Sequence, residues 1–207
     1  MRDAAESHRL PARYMAQLVD YLESTGVDRA NVLRAARIRS LDDPKAQLTL
    51  RQVEALLRAA ELASGRTDLG FELGRRLNPT SHDTLGFALL TCPTIGHVLR
   101  LMASYQRLIQ PAFALRVQRR GSRVDLVYLP VVALQHRSMR MFQEAITASN
   151  HFAFESMLHG KLPPYDVWLS IERPPHAGRY RELTHARVHF GDAAPGVRMS
   201  LDAALLD

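Results

Sequence analysis

Along most of the first 110 residues, apolar side chains recur every three or four positions, which is the spacing of amphipathic helices. Tyr14, Leu18 and Leu22 form the first such face, and Thr49 with Gln52 has the form of a capping box at the start of a later one. Helices are predicted over residues 11–26, 28–37, 49–65, 68–78, 85–90, 94–110 and 137–159. The segment 85–90 is apolar on nearly every side, which predicts a buried helix.

After Pro111 the apolar period changes to two, which is typical of strands. Gly121-Ser122 separates two alternating runs and predicts a hairpin. Further strands are predicted at residues 167–171, 187–190 and 197–200, with a terminal turn at 202–206. This order predicts a single α+β domain over residues 1–207. Its helical N-terminal half is followed by a small antiparallel sheet packed on a long buried helix.

Polar residues lie in the middle of the long helix predicted over residues 137–159. They indicate either hydrogen-bonded core positions or a ligand pocket. Apolar residues cover two sides of this helix, yet Asn150 and His151 lie near its centre. Buried polar groups need partners, either in the protein or on a ligand. Other polar side chains lie on elements expected to surround the helix. The predicted pocket therefore consists of Tyr105, Gln106, Arg107, Tyr128, Asn150, His151 and Trp168.

Sequence patterns of catalysis are lacking: no Gly-x-Ser-x-Gly elbow, phosphate-binding loop or Gly-x-Gly-x-x-Gly is found. Gly70 and Gly74 are four residues apart, which indicates close helix packing. His151 and His159, with Glu155 between them, could form a three-ligand face. Surface or core histidines are nevertheless commoner than metal ligands. We predict no catalytic residue, metal or cofactor, with a histidine-ligated haem or metal sensor module as the alternative.

The charge balance is basic, with 27 Lys and Arg against 21 Asp and Glu, a net charge of +6. Only Lys45 and Lys161 are lysines. Arginine-rich surface suits phosphate or nucleic acid, but a GC-rich genome also favours arginine codons. No helix-turn-helix candidate stands out: the loop between the helices at Asp28 and Thr49, about ten residues, is too long for the tight turn of that motif, so DNA reading by this chain is not expected. One cysteine excludes an intramolecular disulfide, and no apolar run is long enough for a membrane span, so we predict a cytoplasmic protein.

Several motifs, in order, resemble one regulator family. They are Leu69–Gly74, Leu85–Gly96, Tyr105–Leu108, Val188–Gly191 and Leu201–Asp207. The chain is similar to the N-terminal, arabinose-binding-type domain of AraC-type transcriptional regulators. Ala186-Arg187 departs from the Cys-Pro-like pair that relatives often carry before the strand, which affects the local loop.

The resemblance implies a non-enzymatic regulatory domain that binds a small effector and forms a homodimer. It further implies a C-terminal DNA-binding domain with two helix-turn-helix motifs, expected beyond residue 207 and absent from this chain. DNA would be bound through that domain. The sugar in the family label is not carried over, because members of the subgroup respond to varied metabolites.

Overall fold

The computed structural model describes residues 8–206. In this part of the chain the helices are α1 (Ala12–Ser24), α2 (Arg29–Ala35), α3 (Leu50–Ser64), α4 (Leu69–Arg76), α5 (Asp83–Leu90), α6 (Ile95–Ile109), α7 (His136–Met157) and α8 (Gly178–Leu183). The strands are β1 (Arg9–Pro11), β2 (Gln47–Thr49), β3 (Phe113–Arg120), β4 (Arg123–Pro130), β5 (Asp166–Leu169), β6 (Arg187–Phe190) and β7 (Val197–Asp202). Short 3-10 turns occupy Pro79–His82 and Ala203–Leu206.

The predicted α+β class is confirmed, with a five-stranded sheet in the order β3-β4-β7-β5-β6 and a small β1-β2 ribbon. The hairpin between β3 and β4 turns at Gly121, whose φ of 59° suits glycine. The pairs β3-β4, β4-β7 and β5-β7 are antiparallel, as expected. The β5-β6 pair is parallel instead, because the connection between these strands includes α8 and returns the chain to the same end.

Local capping signals in the sequence set several helix starts. The Thr49 hydroxyl accepts from the Gln52 N–H, and the Gln52 side chain accepts from the Thr49 N–H, so the capping box is present. The Thr94 side chain caps α6 in the same way at His97 N–H. Asp68 precedes α4 but makes no capping bond. Its carboxylate instead pairs with Arg66 and Arg179.

Helix α7 lies at the centre of the domain, between α4 and the sheet. Two glycines of α4 let it approach closely: a Cβ on Gly70 would lie 2.5 Å from the Met141 carbonyl oxygen, and one on Gly74 2.6 Å from that of Ala145. On the sheet side, the Phe142 ring packs edge-on against Phe113 of β3, with 6.0 Å between ring centroids. The prediction of a buried long helix, closely packed at the two glycines, is therefore confirmed.

Ion pairs join α7 and α4 to their neighbours and use several of the arginines. Glu61 of α3 pairs with Arg137 and Arg140 of α7. The buried Glu72 of α4 pairs with Arg66, Arg76 and Arg179. Part of the arginine excess thus serves to neutralise carboxylates within the fold.

Another carboxylate, Glu144 of α7, is fully buried and forms a 2.6 Å hydrogen bond with His176 Nε2. Burial raises the pKa of Glu144, because a charged carboxylate is poorly solvated there. This group lies directly against Gly70, so the close contact between α4 and α7 includes a buried polar side chain.

Helix α5 is not buried as its composition predicted. Phe87 and Leu90 are 67% and 58% exposed, although Leu89 beside them is buried. The helix lies at the edge of the domain, so an apolar residue on its outer side meets solvent. Within residues 8–206, no helix combines the length and apolar character that crossing a bilayer requires.

Candidate functional site

Two adjoining cavities lie between α7 and the helices around it. The outer one is an open groove of about 350 Å³, and the inner one is smaller, about 70 Å³. They share the lining residues Leu77, His82, Met102, Ser149 and Asn150. Together they have the size and the largely apolar lining of a small-molecule site.

Three of the predicted pocket residues meet at the inner cavity: Gln106 of α6, Tyr128 of β4 and Asn150 of α7. The Tyr128 hydroxyl donates to Asn150 Oδ1 at 2.8 Å, and Asn150 Nδ2 donates to the Ile146 carbonyl at 2.8 Å. Burial raises the pKa of Tyr128, so its hydroxyl stays protonated. Asn150 is therefore held in a fixed orientation and still has unused hydrogen-bonding capacity, since an amide offers two N–H donors.

Gln106 is directed inward beside a local distortion of α6. Tyr105 has the non-helical dihedrals φ −112° and ψ 16°. Gln106, the next residue, is only 4% exposed. Its Oε1 is buried and has no hydrogen-bond partner among the described residues. Such a group is costly unless something else satisfies it.

The hydrogen bond between Tyr128 and Asn150 gives a testable stability prediction. Tyr128→Phe leaves Asn150 Oδ1 without its donor, so the free energy of unfolding should fall by about 1–2 kcal/mol. Urea denaturation followed by circular dichroism measures this. The control is Tyr105→Phe on the exposed side of α6, which should change stability by no more than about 0.5 kcal/mol. Equal stability of the two variants would mean that Asn150 does not depend on Tyr128.

The other four predicted pocket residues lie away from the two cavities. Tyr105 and Arg107 are exposed on α6. Trp168 lies on the outer side of the sheet, where the Arg198 guanidinium is 3.7 Å from its ring centroid and the His189 ring is stacked at 5.0 Å. His151 is buried, but it belongs to a separate cluster near the end of α7.

That separate cluster consists of His151, Glu155 and His185, whose possible ligand atoms all lie within 4.8 Å of one another. The Nδ1 atom of His151 is 3.0 Å from the Tyr165 hydroxyl. Burial lowers the pKa of His151, which favours the neutral ring. The sequence suggested His151 and Glu155 as a pair, but it offered His159 and not His185 as the third member.

Several cavity residues lie outside the predicted set. Besides the shared residues, the outer groove is lined by Leu89, Cys92, Pro93 and Val98. Cys92 and Pro93 form the α5–α6 turn, with Leu89 at the end of α5 and Val98 near the start of α6. This stretch is far from α7 in sequence and reaches it only by tertiary packing. Neither periodicity nor a local motif distinguishes a groove residue of this kind from an ordinary core residue.

Comparison with known proteins gives the family. Residues 26–207 match the family described as the N-terminal arabinose-binding domain of the AraC transcription regulator. The chain belongs to this family. The resemblance seen in the sequence motifs is thereby confirmed. The matched region contains the whole outer groove and most of the inner cavity. The inner-cavity residues on β1 and α1 lie before it.

One curated protein and one solved structure, both from Pseudomonas aeruginosa, are similar to the chain. The ornithine utilization regulator is 29% identical over 185 residues, which is 87% of this chain and 54% of that protein. The crystal structure of the transcriptional regulator CdpR has the same fold, with a TM-score of 0.62 at 22% identity, covering 90% of this chain and 56% of that one. The chain thus spans about half the length of these regulators.

One of the motifs that resemble the family also lines the outer groove. The motif Leu85–Gly96 forms one wall of the outer groove with six of its residues: Leu89, Leu90, Cys92, Pro93, Thr94 and Ile95.

Proposed function

We propose that this regulatory domain binds an uncharged, largely apolar small molecule in the two cavities, with Gln106 and Asn150 as its polar contacts. The supporting observation is the buried Gln106 Oε1, which lies at the inner cavity and has no partner among the described residues. A hydroxyl or amide N–H of a bound effector would satisfy it. Asn150 can donate its second N–H to the same molecule.

The lining supports a neutral effector. Among residues whose side chains the structure describes, both cavities are lined without Asp, Glu, Lys or Arg. Burying a charged group without a counter-charge is strongly unfavourable. The name of one relative refers to ornithine utilization, yet a molecule with ammonium groups would lack carboxylate partners here. We therefore do not extend the ornithine connection to this chain.

Regulation would follow from a difference in effector affinity between two states of the regulator. We propose that the domain controls DNA binding by a helix-turn-helix domain, which the additional length of its relatives leaves room for. The homodimer inferred from the family resemblance stays a prediction.

A matched series of small molecules tests the effector class. Indole-3-ethanol, tryptamine and indole-3-acetate share one ring system and differ in charge. A ligand that binds only the native state raises the melting temperature. We expect the neutral alcohol to raise it at millimolar concentration, with a smaller shift or none for the cation and the anion. A larger shift with either charged molecule would contradict a neutral site.

A pair of serine variants tests the location. Ser149→Phe places a large ring where both cavities meet, so it should abolish the shift caused by indole-3-ethanol. Ser104→Phe adds the same ring on the exposed side of α6, outside both linings, and should leave the shift unchanged. An undiminished shift in Ser149→Phe would place the ligand elsewhere. Circular dichroism without ligand checks that both variants are folded.

A further inference from the structure

The cluster of His151, Glu155 and His185 has the donor groups of a metal site. His151 and Glu155 are one turn apart on the same face of α7, and His185 reaches them from the connection between α8 and β6. His185 Nε2 is already 3.7 Å from Glu155 Oε1. Two imidazoles and one carboxylate form a ligand set that Zn²⁺ uses in proteins.

His151 is held as a metal-ligating histidine usually is. Its ring is buried and stacked on Tyr165, with 6.1 Å between centroids, and Nδ1 is hydrogen-bonded to the Tyr165 hydroxyl. In metal sites, a hydrogen bond from one ring nitrogen fixes the tautomer and leaves the other nitrogen free to bind. When Nδ1–H of His151 donates to the Tyr165 hydroxyl, Nε2 is the unprotonated ligand atom.

Glu155 supplies the second, independent observation. Its Oε2 is buried and has no hydrogen-bond partner among the described residues. An unsatisfied buried carboxylate oxygen is costly, and a cation at this point would neutralise it. Glu155 Oε1 lies 3.7 Å from His185 Nε2, which is too long for a good hydrogen bond.

We propose that His151, Glu155 and His185 form a binding site for a divalent transition-metal ion of the Zn²⁺ type. Tetrahedral coordination at bond lengths of about 2.1 Å puts ligand atoms about 3.4 Å apart, close to the present His185–Glu155 separation. The His185 side chain is 60% exposed, so it can move the remaining distance without disturbing the core. Three protein ligands leave a fourth position for water or another small ligand.

A bound ion would join α7 to the connection before β6. The same helix carries Ser149 and Asn150 at the effector cavities, one to two turns before Glu155. Metal binding would therefore restrain the end of the helix that an effector contacts. The site differs from the effector cavities in both position and chemistry.

Zinc titration of the untagged chain, in competition with a chromophoric chelator, tests the proposal. We expect one Zn²⁺ per chain, and an affinity at least about tenfold lower in His185→Asn and in Glu155→Gln. The control is His159→Asn, which should bind like the wild type. His159 is exposed, lies outside the cluster and has φ 52°, a conformation that asparagine tolerates.

Co²⁺ gives a second readout, because its visible absorption becomes stronger when it leaves octahedral water for a tetrahedral protein site. The wild type and His159→Asn should show this band, and His185→Asn should not. Equal Zn²⁺ affinity in all variants, or a Co²⁺ spectrum identical to that of the aqueous ion, overturns the proposal. His185 is exposed, so its variant is expected to remain folded, which circular dichroism verifies.

Discussion

Phe71→Ala is expected to lower the free energy of unfolding by about 3–5 kcal/mol, the usual effect of removing a fully buried aromatic ring. The Phe71 ring packs edge-on against Tyr180 of α8, with 4.6 Å between centroids, and Tyr180 in turn packs against Phe190 of β6. Its removal would leave a void where α4, α8 and the sheet edge meet. Chemical denaturation at neutral pH measures the effect.

Phe87→Ala is the matched control, since it removes the same ring from the exposed side of α5. It should change the free energy of unfolding by no more than about 0.5 kcal/mol. A similar loss in both variants would mean that Phe87 is buried, as its sequence environment suggested. A small loss in Phe71→Ala would instead show that the neighbouring aromatic rings fill the void.

Gly74→Ala is expected to cost about 2–3 kcal/mol, although alanine is the better helix former by about 1 kcal/mol. The added Cβ would lie 2.6 Å from both the Ala145 carbonyl oxygen and the Ala148 Cβ. One of these is backbone, so α4 and α7 would have to separate. Thermal and urea denaturation should both show the loss.

Gly178→Ala in α8 separates the steric effect from the change in helix propensity. A Cβ at Gly178 would have no heavy atom within 4 Å, and the residue does not have a positive φ. This variant should be as stable as the wild type or more stable by up to about 1 kcal/mol. If Gly74→Ala were equally stable, the contact between the two helices would be looser than the structure indicates.

The sequence predicted most of the elements because their signals are local. The capping box at Thr49, the turn at Gly121 and the change of apolar period after Pro111 each depend on neighbouring residues. The same local patterns failed where the environment is set by distant parts of the chain. The outer side of α5 is apolar yet exposed, and the direction of β6 depends on the position of α8.

The candidate sites were predictable only in part for the same reason. Asn150 and Gln106 could be found, because a polar residue in an apolar stripe is visible in the sequence. The α5–α6 turn lies opposite α7 only in the folded chain. His185 likewise is thirty residues from Glu155 along the chain, and only the fold brings the two together.

The glycine contact between α4 and α7 has a consequence for how such domains diversify. Substitutions there force two helices apart, whereas Leu90 and Cys92 on the opposite wall of the groove are partly exposed and are packed less tightly. Exchanging residues of that wall reshapes the cavity at little cost in stability. If the cavities hold the effector as proposed, substitutions in the α5–α6 turn should change which molecule binds at little cost in stability, whereas substitutions at Gly70 or Gly74 should destabilise the domain.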